Sequence, residues 1–303
     1  MSGQREARIA FLGSGAFGIP SLEMIARTWG VSLVVSQPDR PAGRGKVETP
    51  TPIAGWATAR GVPMVRADDV NGSEVLARLA ALGVNVLAII AFGQKIGESV
   101  LAGRFAVNLH GSLLPRWRGA APIQRSVMEG DAEVGVSVIS IAPTMDAGVV
   151  YDEARTIVGE GETAGALHDR LSELGVEPLR RVLASWVAGD EIAGRAQDES
   201  KATRARKLSR TDAWVDFRGP ARLVAARING LSPWPGVDAL VGGKHVKVLR
   251  ARAIGERLEV LEVQPAGGKA MRWPDFLRGL RWDVAARGGD PPITCPTAPG
   301  VSV

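Results

Sequence analysis

Hydrophobic and polar positions along the chain fall into two regimes. Through the first two thirds, short apolar runs at 8–12, 31–36, 62–65, 84–91, 105–107 and 134–141 predict strands. Segments of helical character at 20–27, 53–60, 73–82 and 120–129 separate them. Residues 84–91 (VNVLAIIA) are apolar almost throughout, the pattern of a strand buried on both faces. A strand at 149–158 then precedes an amphipathic stretch over 163–187, expected as one long helix. This alternation predicts an α/β domain around a mostly parallel sheet. Beyond residue 208 the pattern changes. After one helix at 220–229, short strands at 237–241, 245–251 and 258–264 are set off by turn residues, the spacing of a small β-barrel. Residues 190–207 are polar and read as a linker, so the expected domains are 1–189 and 208–303. Gly and Pro are dense after residue 288, and 288–303 is expected to be a disordered tail.

Composition adds exclusions. A chain of 303 residues suits two domains, and 45% hydrophobic with 23% charged residues is ordinary for a globular protein. The N-terminal MSGQREARIAFLG has no apolar signal core, and no apolar run reaches the length of a membrane span, so a cytoplasmic protein without membrane contact is expected. A single cysteine, Cys295, excludes an internal disulfide and a Cys-based zinc site. Only three histidines are present, which leaves no His-rich cluster and no expected metal. Charge is uneven along the chain. Residues 1–200 carry 19 Lys and Arg against 23 Asp and Glu, whereas 201–303 carry 18 against 9. A basic final third on a mildly acidic body suggests that a polyanion, nucleic acid foremost, docks on one domain.

Four stretches carry candidate chemistry. Gly13-Ser-Gly15-Ala-Phe-Gly18 follows the first strand, with Asp39 further on near the end of the second. The pattern fits a dinucleotide fingerprint, but it equally fits the tight strand-to-helix turn of any doubly wound fold. Residues 37–52, rich in Pro and Gly, preclude regular structure, and within them 37–46 presents Arg40, Arg44 and Lys46 against one acid, suited to contacting phosphates from a mobile arm. Asn108 and His110 stand two apart at the end of a strand, so they point to one side. An amide and an imidazole aimed at one small volume suit an oxygen on which negative charge develops, as in acyl transfer. Asp146-Ala-Gly148 is turn chemistry on its face.

The run Asn108-Leu-His-Gly-Ser112-Leu-Leu-Pro115-Arg-Trp-Arg-Gly-Ala-Ala-Pro122 resembles the catalytic segment of the folate-dependent formyltransferases. Asp146-Ala-Gly148, Ser232-Pro-Trp-Pro-Gly236 and Gln264-Pro-Ala-Gly-Gly-Lys-Ala-Met271 extend the likeness to about residue 280. It implies a Rossmann-like N-terminal domain that binds no dinucleotide and an OB-like C-terminal domain. The implied donor is 10-formyltetrahydrofolate, and the implied acceptor is the α-amino group of methionine carried on initiator tRNA. Carried over, Asn108, His110 and Asp146 are catalytic. Ser112, Leu113, Leu114 and Pro115, with Phe92, Gly93 and Gln94, line the folate pocket. Arg40, Arg44 and Lys46 contact tRNA, and the protein acts as a monomer. Phe92 stands where the family has Tyr, Ala147 where it has Thr, and Ser232 where it has Asn. Two other readings remain: formylation of glycinamide ribonucleotide or an amino-sugar nucleotide, and an RNA-binding module with a silent first domain. The Arg-Pro-Ala-Gly-Arg loop and basic C-terminal third weigh against the former, and the intact Asn108, His110 and Asp146 against the latter.

Overall fold

The computed structural model describes residues 3–42, 47–282, 284, 287 and 289–296. In chain order the first stretch runs β1 (Ile9–Gly13), α1 (Ile19–Thr28), β2 (Leu33–Ser36), β3 (Arg40–Ala42), β4 (Val47–Thr49), α2 (Pro52–Arg60) and β5 (Met64–Arg66). It continues through α3 (Ser73–Ala81), β6 (Val86–Ile90), α4 (Glu98–Leu101), β7 (Phe105–His110) and β8 (Arg118–Gly119). Next come α5 (Pro122–Met128), β9 (Glu133–Ser140), β10 (Val150–Ile157), α6 (Ala164–Leu174), α7 (Val176–Ala188) and the short β11 (Arg204–Ala205). The final part holds α8 (Ala221–Gly230), β12 (Val237–Val241), β13 (Lys244–Ile254), β14 (Arg257–Pro265), β15 (Met271–Arg272), α9 (Trp273–Gly279) and β16 (Ile293–Thr294).

Two compact units emerge. The first comprises Met1–Ala120, Gly135–Arg155 and Asp169–Arg204; the second comprises Ala121–Val134, Thr156–His168 and Ala205–Val303. The first is built on a seven-stranded sheet of order β10-β9-β7-β6-β1-β2-β5. From β5 across to β7 the strands pair in parallel, and β9 adds antiparallel to β7. Every residue of β1, β2 and β6 is buried, as strands covered on both faces require. The chain builds outward from β1 first through β2 and β5, then returns to lay β6 and β7 on the other side. The order reverses beside β1, and in such sheets ligands bind outside the carboxyl ends of the strands at that switch point. Those ends carry Gly13, Ala91 to Gln94, and Asn108 to His110.

The glycines after β1 have a packing explanation. A Cβ on Gly13 would lie 2.6 Å from a Phe11 ring carbon and 2.8 Å from the Ile90 carbonyl, and one on Gly18 would lie 2.9 Å from the Phe11 ring. The turn is pinned by Ser14 and Gly15 N–H groups that both donate to Ala91 O at 3.3 Å. Close approach of loop to strand is therefore enough to require them.

The second unit carries a small antiparallel, barrel-like sheet of order β15-β14-β13-β12-β16. Its core includes Val224 and Ile228 of α8, Val248 of β13, Val263 of β14 and Trp273 of α9. At the irregularity around Arg250 and Ala251 in β13, buried Asn229 takes over the ladder's work. Its amide donates to Ala251 O at 2.8 Å and accepts from Ala251 N at 2.9 Å.

Three expectations change. The segment 37–52 is not irregular throughout: Arg40 to Ala42 pairs antiparallel with Val47 to Thr49 as a two-stranded ribbon. In a ribbon both strands are edges, so Pro41 removes no interior ladder bond. The stretch 163–187 forms two helices meeting at Gly175, where a Cβ would lie 2.6 Å from Leu109 Cδ2. The expected disordered tail is ordered over 289–296: Ile293 and Thr294 pair with Val241 and Leu240, and the adjoining Cys295 is buried. Alternation of Ile293, Thr294 and Cys295 gives that short strand one apolar face, a signal masked by the surrounding prolines.

Candidate active site

Asn108 and His110 are the last inward positions of β7, a strand held between β6 and β9. They share one face, while Val107 and Leu109 are buried on the other. His110 is itself buried. Its Nε2 lies 2.9 Å from the Trp117 carbonyl oxygen, and its Nδ1 lies 3.7 Å from Asp146 Oδ2. A carbonyl only accepts, so Nε2 carries the proton in this contact. Nδ1 and the carboxylate are too far apart for a hydrogen bond but close enough for a charge pair.

Asp146 stands on a turn with a left-handed backbone (φ 56°). Its Oδ2 accepts from the Gly119 N–H at 2.8 Å. Gly148 is compulsory on steric grounds, since a Cβ there would lie 1.8 Å from the Ser140 carbonyl. The turn is held from outside by Gln197, whose Nε2 donates to both Asp146 O and Gly148 O at 2.7 Å. Gln197 Oε1 in turn accepts from Arg118 Nε and Nη2 at 2.9 and 2.7 Å. Buried Arg118 closes the group with a two-pronged pair to Glu199, at 2.8 and 2.7 Å. That hydrogen bonding raises the Arg118 pKa above its ordinary value against the opposing effect of burial, with the Asp146 charge contributing in the same direction. The Glu199 carboxyl is correspondingly lowered, first by its hydrogen bond with Arg118. Sequence reasoning missed Arg118, Gln197 and Glu199. The one available signal was an arginine inside the motif with no assigned task.

The loop after His110 is fastened by hydroxyls. Ser112 Oγ donates to Arg116 O at 2.7 Å, and Ser137 Oγ of β9 donates to Ser112 O at 2.8 Å while accepting from Leu114 N at 3.1 Å. Leu114 packs with Ile139 and Val150, and Leu113 reaches toward Gly135, which has no side chain to obstruct it. Pro115 follows a cis peptide. In the neighbouring loop after β6, Phe92 is buried in the core, and its carbonyl accepts from Gln37 Nε2 at 2.6 Å. Gln94 is occupied by Val70 N and Ala67 O, at 2.8 and 2.9 Å. Gly93 is left-handed (φ 78°). The side chains of Ser112, Leu114, Phe92 and Gln94 thus shape the two loops. Arg40 is exposed on β3; Arg44 and Lys46 lie outside the described residues.

The arrangement places an amide, a buried imidazole and a carboxylate at one strand mouth of an open sheet. Such a set can stabilise an oxyanion and move one proton. Among the described residues no group of acidic, His or Cys side chains could hold a metal ion, and no helix is long and apolar enough to cross a membrane.

The comparisons with known proteins agree on the class. Residues 7–183 match the formyl transferase family model, and residues 207–259 match the formyl transferase C-terminal domain. The chain belongs to the formyl transferase family and is a one-carbon-transferring enzyme. Its curated relatives within that family include the methionyl-tRNA formyltransferase of Cereibacter sphaeroides, 37% identical over 293 residues, covering 90% of this chain and 96% of the relative. The enzyme of the same name from Parvibaculum lavamentivorans is 38% identical over 301 residues, covering 90% and 97%. Among solved structures, HypX from Aquifex aeolicus in complex with tetrahydrofolic acid shares the fold with a TM-score of 0.60 at 16% identity, over 90% of this chain and 47% of that longer one. WlaRD, a sugar 3N-formyl transferase crystallised with dTDP and 5-N-formyl-THF, aligns with a TM-score of 0.64 at 13% identity, over 86% and 94%.

Proposed function

We propose that this enzyme transfers the formyl group of 10-formyltetrahydrofolate to the α-amino group of methionyl-initiator tRNA in the cytoplasm. The free amine attacks the formyl carbon, and the carbonyl electron pair moves to oxygen. The resulting tetrahedral intermediate bears an oxyanion and an ammonium. His110 and the Asn108 amide stabilise the oxyanion. Asp146 orients His110 and, directly or through water, takes the proton that leaves the ammonium. The carbon–N10 bond then breaks as the carbonyl re-forms, and N10 of the departing tetrahydrofolate gains a proton. The observation that carries this reading is Asp146 and the Trp117 carbonyl bracketing His110, two residues beyond Asn108 at the carboxyl end of β7.

The folate lies against Ser112 to Pro115 and the backbone of Phe92 to Gln94. Arg40, Arg44 and Lys46 meet the tRNA, and the basic chain beyond residue 208, joined through 190–207, supplies further phosphate contacts. The test is formyl transfer from 10-formyltetrahydrofolate to purified methionyl-initiator tRNA, with free methionine and glycinamide ribonucleotide as alternative acceptors. Transfer to the charged tRNA alone is expected. Transfer to glycinamide ribonucleotide instead would move the acceptor assignment, and tRNA binding without any transfer would sink the enzymatic one.

A further inference from the structure

Gln197 belongs to the stretch that reads in sequence as a polar linker, yet both ends of its carboxamide are committed inside the first unit. Its NH2 group spends one hydrogen on the Asp146 carbonyl and one on the Gly148 carbonyl. Its oxygen receives two guanidinium hydrogens from Arg118. Carbonyls only accept and guanidinium only donates, so the amide can face only one way. No other side chain meets these demands: Glu has nothing to donate, Asn is one methylene too short, and Lys cannot accept. The neighbouring residues of the same stretch act in the same sense. Thr203 Oγ1 accepts from Trp117 N at 2.8 Å, and Thr203 O accepts from Arg118 N at 2.9 Å. Trp117 supplies the carbonyl that meets His110 Nε2, and Asp146 the carboxylate that faces Nδ1. Residues 197–203 therefore fix both neighbours of the histidine ring.

We propose that Gln197 is a positioning residue of the formyl-transfer site, holding the left-handed Asp146 turn so that the carboxylate stays aimed at His110 Nδ1. Asp tolerates a left-handed backbone, though at some cost, and that conformation persists only when the surroundings over-determine it. Two hydrogen bonds to the carbonyls flanking Ala147 are such a constraint. The proposal rests on the reading of Asp146 as a working group. Gln197 acts through that carboxylate and touches neither substrate.

Gln197→Glu tests it in the full-length chain, because the side chain keeps its size and its acceptor toward Arg118 but presents oxygen to two carbonyls. Turnover number and both Michaelis constants are measured, normalised to the folded fraction from circular dichroism. The expected result is a fall in kcat of roughly 10- to 100-fold, the scale of a small misplacement in an active site, with both KM values within about twofold of wild type. Wild-type kcat, or a loss confined to KM, overturns the proposal. Gln197→Ala is read by the same criteria should the Glu variant not fold. Asp146→Asn run in parallel separates the two claims. Full turnover in Asp146→Asn defeats the reading of Asp146 itself, whereas an inactive Asp146→Asn beside a fully active Gln197→Glu defeats only the positioning role.

Discussion

His110 faces an acceptor from each side of its ring: the Trp117 carbonyl at Nε2 and the Asp146 carboxylate toward Nδ1. The carbonyl holds the ring through Nε2, and the carboxylate stands beside Nδ1. Asn108 acts as a neutral donor, and its contribution arises only as charge develops. Asn108→Ala should lower kcat by roughly 10²- to 10³-fold, as loss of one oxyanion donor does, with little change in KM for the charged tRNA. Steady-state kinetics would show it, and an equal rise in KM would argue for a binding role instead. At this scale the sequence was informative where the chemistry is local. Asn108 and His110 share a face because a strand has period two, whereas the Asp146 turn read alone as ordinary turn chemistry and gained its role only from the family resemblance. Arg118, Gln197 and Glu199 were not legible, because their relation depends on a contact across about 80 positions that no spacing reveals.

Among the elements, β9 does most to shape the loop after His110. Gly135 must lack a side chain, since a Cβ would lie 2.1 Å from the Ala154 carbonyl. Ser137 joins Ser112 O to Leu114 N through one hydroxyl in a buried setting. Ser137→Ala orphans both groups and should cost about 1–3 kcal/mol in thermal or urea unfolding, with weakened folate binding by titration calorimetry. Unaltered stability and affinity would show the loop to be held elsewhere. In the second unit, a capping box joins Ser209 and Asp212, with Arg125 and Arg206 on the same carboxylate. Burial works to raise the Asp212 pKa, but hydrogen bonds from Ser209 and the charge of Arg125 outweigh it and hold it below the ordinary carboxylate value. A depressed folded-state pKa gives stability that is present above the unfolded pKa, about 3.9, and lost as pH falls through the folded value. Asp212→Asn should therefore be less stable by about 2 kcal/mol near neutrality, and the gap should close below pH ~4. A gap that persists in acid would assign the effect to packing. The ribbon β3–β4 and the strand at 293–294 escaped the sequence reading because prolines beside them obscure two- and three-residue pairings that only a partner strand defines.

For the whole molecule, the change from helix–strand alternation to short strands with turn punctuation corresponds to the two large sheets, of seven and five strands. What it did not convey is that Ala121–Val134 and Thr156–His168 belong with the later chain, because compactness is a property of packing and not of sequence order. The charge asymmetry makes a prediction here. The logarithm of the affinity for methionyl-initiator tRNA should fall linearly with the logarithm of salt concentration, as released counterions require, and a filter-binding series would record the slope. A flat response would remove the basic final third as the docking surface. The most direct test of the account joins binding to chemistry in one variant. Single-turnover formyl transfer and tRNA affinity are measured for His110→Ala beside the wild type. The account predicts a formyl-transfer rate lower by at least about 10²-fold with tRNA affinity unchanged. Transfer at the wild-type rate would contradict it.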